Sequence, residues 1–339
     1  MADNRSASRR PTDGSAGSSD LEVGRLELEA HGLADRLPDL VIEANRIAST
    51  VAHGIHGRRR AGPGETFWQF RQFEGADAAT LIDWRRSASS DQLYVREREW
   101  EAAHTVWLWS DLSASMDFRS TLSAVTKRER AVVILLAAAE LLVRGGERVA
   151  LLGLGRPTAS RKAATLLAET LLTNLTSPLL TSSLPPKIRL SRFSGAILVS
   201  DFLEPLDQLR QRLEEMASGG VNGHLVQVMD PAEETLPYEG RAEFLGPEIA
   251  GERWIVDRVE SMRGDYIKKL ADHRAGLEAI TRRLGWTLLV HHTDRPPYEL
   301  LLSLIMRLGG QAGNYRMATP QSDPTLPDAG QHATARNPA

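Results

Sequence analysis

From residue 104 onward, short apolar runs alternate with longer stretches whose apolar positions recur every three or four residues. Residues 104–110 open the series as a strand. Val106 and Leu108 face one way and Trp107 and Trp109 the other, so both faces are apolar, as in a central strand covered on both sides. The spacing then predicts a helix over 128–144, stopped by Gly145-Gly146, and a strand over 147–153. A helix over 160–175 should bury Leu166, Leu167 and Leu171, and residues 177–186 read as a loop. A strand over 195–200, a helix over 206–216 and a strand over 223–229 follow, the last running into Asp230-Pro231. A hairpin is expected inside 232–257, then a helix over 259–284, a strand over 286–290 and a helix over 298–308. Strands and helices alternating at these lengths predict an α/β fold, Rossmann-type, with a mostly parallel sheet and helices on both faces.

Upstream the periodicity is different. Leu40, Val41, Ala44, Ile47, Ala48 and Val51 mark an amphipathic helix over 37–52 that closes at His53-Gly-Ile-His56-Gly. Two His three apart can bind metal, but no third ligand accompanies them, so an exposed helix end is the simpler reading. Arg58-Arg59-Arg60 fits either a solvated turn or a contact to phosphate or an acidic partner. Residues 65–100 interleave aromatic side chains with matched acids and bases, which reads as a small β-rich N-terminal subdomain laced with ion pairs. The division that results is a disordered tail over 1–24, a helix and small β-rich segment over 25–103, the α/β domain over 104–315 with its insertion at 232–257, and a second disordered tail over 316–339.

Two of the predicted strands end in an acid, at Ser110-Asp111 and Ser200-Asp201. In open α/β sheets, ligands bind beyond the carboxyl ends of the strands. If these two strands are neighbours, Asp111 and Asp201 meet at one rim with Ser113 and Ser115. Carboxylates and hydroxyls are hard oxygen donors that suit Mg²⁺. The plain alternative is helix capping, in which Asp and Ser accept hydrogen bonds from the first free N–H groups of a helix.

The Asp111-Leu-Ser113-Ala-Ser115 spacing resembles the metal-ion-dependent adhesion site of von Willebrand factor A domains. That resemblance implies a divalent ion, a Thr and a second Asp from later loops, and a partner's carboxylate completing the shell. Asp201 would be the second Asp, Thr158 the Thr, and Thr181 another choice for it.

A longer pattern covers about 57–310. It runs through Gly64-Glu-Thr-Phe67, then Arg71-Gln-Phe73-Glu-Gly-Ala76-Asp77-Ala78-Ala-Thr80-Leu-Ile82-Asp83-Trp84-Arg85, then Tyr94-Val95-Arg96-Glu97 and Asp111-Leu-Ser113-Ala-Ser115-Met116. In order and spacing this resembles the domain-of-unknown-function 58 family, whose members carry a von Willebrand factor A-like domain. Leu198-Val-Ser-Asp201-Phe, Asp230-Pro-Ala-Glu233 and Tyr266 also fit. Ala76, Ala78, Thr80 and Ser89 replace the family's Gly, Asp, Arg and Arg, so this chain lacks the charged residues of that pattern at 78, 80 and 89. The resemblance implies a non-enzymatic adaptor or co-chaperone that works with a MoxR-type AAA+ ATPase and its client in assembling or maturing protein complexes. Many relatives carry N-terminal transmembrane helices, and none is expected here.

Composition narrows the classes further. There is no Cys, which excludes disulfides, thiolate catalysis and Cys-ligated zinc. A formal net charge of -3 argues against a general nucleic-acid binder. The longest apolar run, residues 131–143, is broken by Glu140 and is too short to span a bilayer, so a cytoplasmic protein without membrane insertion is expected. No phosphate loop, dinucleotide fingerprint or Gly-x-Ser-x-Gly elbow is present, and no catalytic residue is assigned. A metal-free assembly scaffold is the alternative function. A serine hydrolase built from Ser113 or Ser115 with His292 and Asp201 is the remaining one, with nothing in the sequence to position it.

Overall fold

Ala196, Ile197, Leu198 and Val199 leave no polar face on their strand, and all four are fully buried. A strand without a wet face must be covered on both sides. The computed structural model describes residues 16–56, 69–73, 82, 84–88, 90, 92–97, 104–246 and 253–315. The chain begins with α1 (Ala16–His56), β1 (Gln69–Gln72), α2 (Trp84–Ser87) and β2 (Tyr94–Glu97). The α/β part follows with β3 (Thr105–Ser110), α3 (Lys127–Arg144), β4 (Arg148–Leu151), β5 (Leu154–Thr158), α4 (Ala163–Thr173) and α5 (Pro178–Thr181). It continues with β6 (Gly195–Ser200), α6 (Leu206–Ser218), β7 (Asn222–Met229), α7 (Pro231–Thr235), β8 (Ala242–Leu245) and β9 (Arg253–Val256). The last elements are α8 (Val259–Arg283), β10 (Thr287–His292) and α9 (Tyr298–Tyr315).

The six-stranded sheet has the order β10-β7-β6-β3-β4-β5. Its strands are parallel except β5, which runs antiparallel to β4 at the edge. The chain steps one way from β3 to β4 and the other way from β6 to β7 to β10. Right-handed crossovers then place α3 on one face and α6 and α8 on the other. Packing agrees: α1 and α3 contact each other and both contact α4 and α9, while α6 contacts α8. The α/β class with a mostly parallel sheet flanked by helices is therefore what the molecule has. The point where the strand order reverses lies between β3 and β6.

Several details differ from the sequence expectations, among them the short helix α5 inside the loop expected over 177–186. Residues 16–24 belong to α1 rather than to a disordered tail; Leu21, Glu22, Arg25, Leu26, Glu27 and Leu28 are good helix formers and outweigh the Ser and Gly around them. Leu166 is exposed on α4, whose buried face is Ala163, Ala164, Leu167, Ala168 and Leu171. Residues 154–158, assigned to no element, form the edge strand β5. Of the small β-rich subdomain expected over 65–100, the described residues show an antiparallel pair, β1 with β2, and the short α2. Arg58–Arg60 and residues 316–339 lie outside the described residues.

Candidate functional site

β3 and β6 are paired in parallel, with Ser110 opposite Val199, and the Asp111 N–H donates to the Val199 carbonyl at 2.9 Å. The two strands thus end level with each other, at the carboxyl rim beside the switch in strand order. Asp111 is completely buried there. Its Oδ1 accepts from the Ser113 N–H at 2.8 Å and its Oδ2 from the Ser200 hydroxyl at 2.7 Å. Ser113 and Ser115 share a hydrogen bond between their hydroxyls at 3.2 Å. Arg128, in the first turn of α3, holds the loop by donating to the carbonyls of Leu112 at 2.9 Å and Ser113 at 3.1 Å. α3 itself starts in a capping box between Thr126 and Glu129, which fixes where that first turn lies.

Asp201 follows β6 directly. The helix after it, α6, has Pro205 at its N-cap and no side-chain cap, so Asp201 is not capping it. Its Oδ2 instead pairs with Lys127 Nζ at 2.9 Å, and the same ammonium reaches Glu233 Oε1 at 2.6 Å. Lys127 is almost fully buried. Burial alone would lower its pKa, but Asp201 and Glu233 overrule this and raise it, so the ammonium stays charged. A third strand-terminal acid, Asp230 after β7, caps α7 through the Ala232 N–H and accepts from the Ser120 N–H and hydroxyl at 3.0 and 2.6 Å. Ser120 lies in the loop that begins at Asp111, so this bond ties the ends of β3 and β7 together.

The electrostatics of the cup are unbalanced. Burial pushes the Asp111 carboxyl up to about 7, and the charge of Asp201 adds to the shift. Burial also raises Glu233, against the pull of Lys127. Asp201 and Glu233 share the one ammonium of Lys127, while Asp111 meets the like charge of Asp201. Two carboxylates and two adjacent hydroxyls form a donor set of the right chemistry and charge for Mg²⁺, which takes oxygen ligands and retains several waters. Among the described residues no group of three or more His, Asp or Glu is gathered to hold a metal ion, so hydroxyls, waters or another molecule would supply the remaining positions. An ion in this cup would share Asp201 with Lys127.

The structure brings Asp111, Ser113, Ser115 and Asp201 to one rim, and it does not bring Thr158 there. β5 runs antiparallel, so Thr158 pairs with Val149, itself level with Val106. That is five residues, about 16 Å, short of Asp111 along the strands and two strands to the side. The reason is the tight turn through Gly153, with φ 78°, which reverses the chain before Thr158 can reach the carboxyl rim. The segment that does arrive there is α5: the Leu112 N–H donates to the Leu180 carbonyl at 2.8 Å, which places Thr181 beside the Asp111 loop. The Thr181 hydroxyl donates back to the Ser177 carbonyl at 3.2 Å. His292 ends β10, three strand positions from β3, and its Nε2 pairs with Glu234 at 2.8 Å. It is therefore remote from Ser113 and Ser115.

Lys127, Glu233 and Ser200 carry much of the geometry; Glu233 and Ser200 stood in the sequence motifs without a role in the site, and Lys127 stood in none. A third strand-terminal acid, Asp230, was visible as a pattern and pointed to the α7 segment that supplies Glu233. Nothing local marks Lys127, because a lysine in the first turn of a helix is usually solvated.

Apolar side chains surround the cup. Phe118, Leu122 and Leu203 are 38%, 50% and 41% exposed, and Lys127 Nζ lies 5.9 Å from the centre of the Phe118 ring. Tyr238 continues the surface and meets Phe244 edge-on at 6.2 Å. Phe244 is opposite Trp254 in the β8–β9 hairpin, and Trp254 is 65% exposed. Among the described residues no helix is long and apolar enough to cross a membrane.

Residues 69–276 match the family model described as protein of unknown function DUF58. Uncharacterized protein Rv1480 of Mycobacterium tuberculosis and uncharacterized protein Mb1516 of Mycobacterium bovis are each 28% identical over 285 residues, covering 80% of this chain and 88% of theirs. Among solved structures, the conserved hypothetical protein BatB from Bacteroides thetaiotaomicron covers 61% of this chain and 100% of its own at 14% identity and a TM-score of 0.36. An aerotolerance-related membrane protein from Bacteroides fragilis has the same coverage at 12% identity and a TM-score of 0.34.

Proposed function

The chain belongs to the DUF58 family of proteins of unknown function, and on that premise we propose that it is a non-enzymatic protein-binding adaptor that works through the carboxyl rim of its sheet. The observation that carries this reading is the acid-and-hydroxyl cup at the switch in strand order, surrounded by exposed apolar side chains. A large exposed apolar patch around a polar centre is the composition of a protein interface. In the full form of the proposal the cup is a metal-ion-dependent adhesion site, as in von Willebrand factor A domains. Asp111, Ser113, Ser115 and Asp201 hold Mg²⁺, with Thr181 in place of Thr158. Bound there, Mg²⁺ supplies an under-neutralised positive charge that attracts a carboxylate of the partner. The partner proposed is a MoxR-type AAA+ ATPase or its client, in assembly or maturation of a protein complex.

A second reading has its own observation. Lys127 already pairs with Asp201, so the cup contains a cation of its own. On this reading the protein is a metal-free scaffold that docks through the same apolar rim.

The test is retention of a MoxR-type ATPase on the immobilised full chain, with Mg²⁺, with EDTA, and with Leu203→Asp. The adhesion-site reading predicts retention in Mg²⁺, loss in EDTA and loss in the variant. Retention that survives EDTA but not Leu203→Asp selects the metal-free scaffold. Retention unchanged by Leu203→Asp rules out this rim as the interface.

A further inference from the structure

The opposite end of the sheet holds a feature that the cup does not use. Residues 187–192 lead into the amino end of β6, and the last turn of α6 leads into the amino end of β7. Between them lies a cavity of about 500 Å³, within the range of small-molecule sites. β6 alone, six residues long, puts it about 20 Å from the Asp111 cup.

Lys187, Arg189 and Arg192 come to this cavity from the loop, and Arg212 from α6. Glu215 is the one acid in its lining. It pairs with Lys187 at 3.8 Å, both groups being largely exposed. Among the described residues no ion pair engages Arg189, Arg192 or Arg212. Arg212 donates to the Pro185 carbonyl, and Arg192 lies 5.4 Å from the centre of the Phe193 ring. Four cations against one carboxylate leave three net positive charges in one concavity, on a chain whose formal net charge is -3.

The backbone beside the cavity is also unusual. Phe193 has φ 63°, a left-handed conformation that an aromatic residue adopts only when its surroundings hold it. Its N–H donates to the Gly220 carbonyl at 3.1 Å, and the Ser194 N–H and hydroxyl both donate to the Ser191 carbonyl. These bonds fix the Arg192–Phe193 turn at the cavity's edge.

We propose that this cavity is a binding site for a small organic polyphosphate, the diphosphate of a nucleotide being the type. Three net charges call for a ligand that concentrates several negative charges in a small volume, which a single carboxylate does not. Guanidinium forks match phosphate oxygens in pairs. Ile188, Leu190 and Met216, which line the rest of the cavity, supply an apolar wall for the uncharged part of the ligand. A concavity rather than a flat basic face favours a small molecule over a lipid surface.

The test is calorimetric titration of the full chain with pyrophosphate and with ADP, both without divalent metal, beside flotation with vesicles containing phosphatidylglycerol. Saturable one-site binding of ADP or pyrophosphate is expected, weakened about tenfold or more in the Arg189→Ala/Arg192→Ala double variant and unchanged in a Lys268→Ala/Lys269→Ala control. ADP binding more tightly than pyrophosphate assigns the apolar wall to the nucleoside; equal affinity assigns the site to the diphosphate alone. Both variants are checked for unchanged circular dichroism, and Arg212 is left in place because it also holds Pro185. No saturable binding at millimolar ligand, an equal loss in the control, or vesicle binding without binding of the soluble phosphates overturns the proposal.

Discussion

Asp111 keeps its proton until about pH 7, because burial disfavours its charge and Asp201 disfavours it further. An unfolded aspartate titrates near 3.9. The native state therefore binds the extra proton between these values, and stability falls as pH rises through that window. The contribution is complete below about pH 4 and lost above about pH 7, roughly 4 kcal/mol in all. Asp111→Asn removes the titration and keeps an oxygen for the Ser113 N–H. In EDTA, the variant should melt up to about 10 °C above the wild type at pH 8, with the gap closing toward pH 4. Parallel melting profiles across that range would remove the buried-charge account of Asp111. Lys127 works in the opposite sense, since its ammonium offsets Asp201 and Glu233 at every working pH. Lys127→Met strands both acids and should cost about 3–5 kcal/mol in urea unfolding. Loss of less than 1 kcal/mol would mean that the two acids find water instead. Asp111, Ser113, Ser115 and Asp201 were legible in sequence because strand-terminal acids stand out against apolar runs. Lys127 was not, because its burial depends on β6 and α7 closing over it.

At the scale of elements, the sheet follows from hydrophobic pattern almost strand by strand. Residues 195–200 have no alternation and read as a covered strand, which they form, and Gly145-Gly146 stops α3 where it was expected to stop. β5 was missed because Leu154-Gly-Arg-Pro-Thr158 has little apolar content and contains a proline. Proline is in fact the mark of an edge strand, which is what β5 is. That omission also put Thr158 among the rim candidates, whereas an antiparallel strand carries it away from the rim. Gly153 is the residue on which this turn depends. Its φ of 78° is left-handed, and a Cβ there would collide with Ile188. Gly153→Ala should destabilise the protein by about 1–3 kcal/mol, read as a lower urea midpoint at unchanged slope. An unaffected midpoint would mean that the turn can relax without strain.

Across the whole molecule, the sheet separates two chemistries. Its carboxyl end gathers acids, hydroxyls and exposed apolar rings, and its amino end gathers cations beside β6 and β7. Composition averages these to a net charge of -3 and reveals neither pole. The acidic pole was legible on one condition, that β3 and β6 be neighbours, and the strand order meets it. The basic pole depends on how the 187–192 loop lies against α6, which no sequence pattern fixes. The central claim concerns the acidic pole, and calorimetric titration of Mg²⁺ at pH 6 and pH 8 tests it most directly. The account predicts one site at pH 8, about tenfold weaker binding at pH 6 because Asp111 must first lose its proton, and no binding in Asp111→Asn. Binding that is absent from the wild type, indifferent to pH, or intact in Asp111→Asn would contradict it.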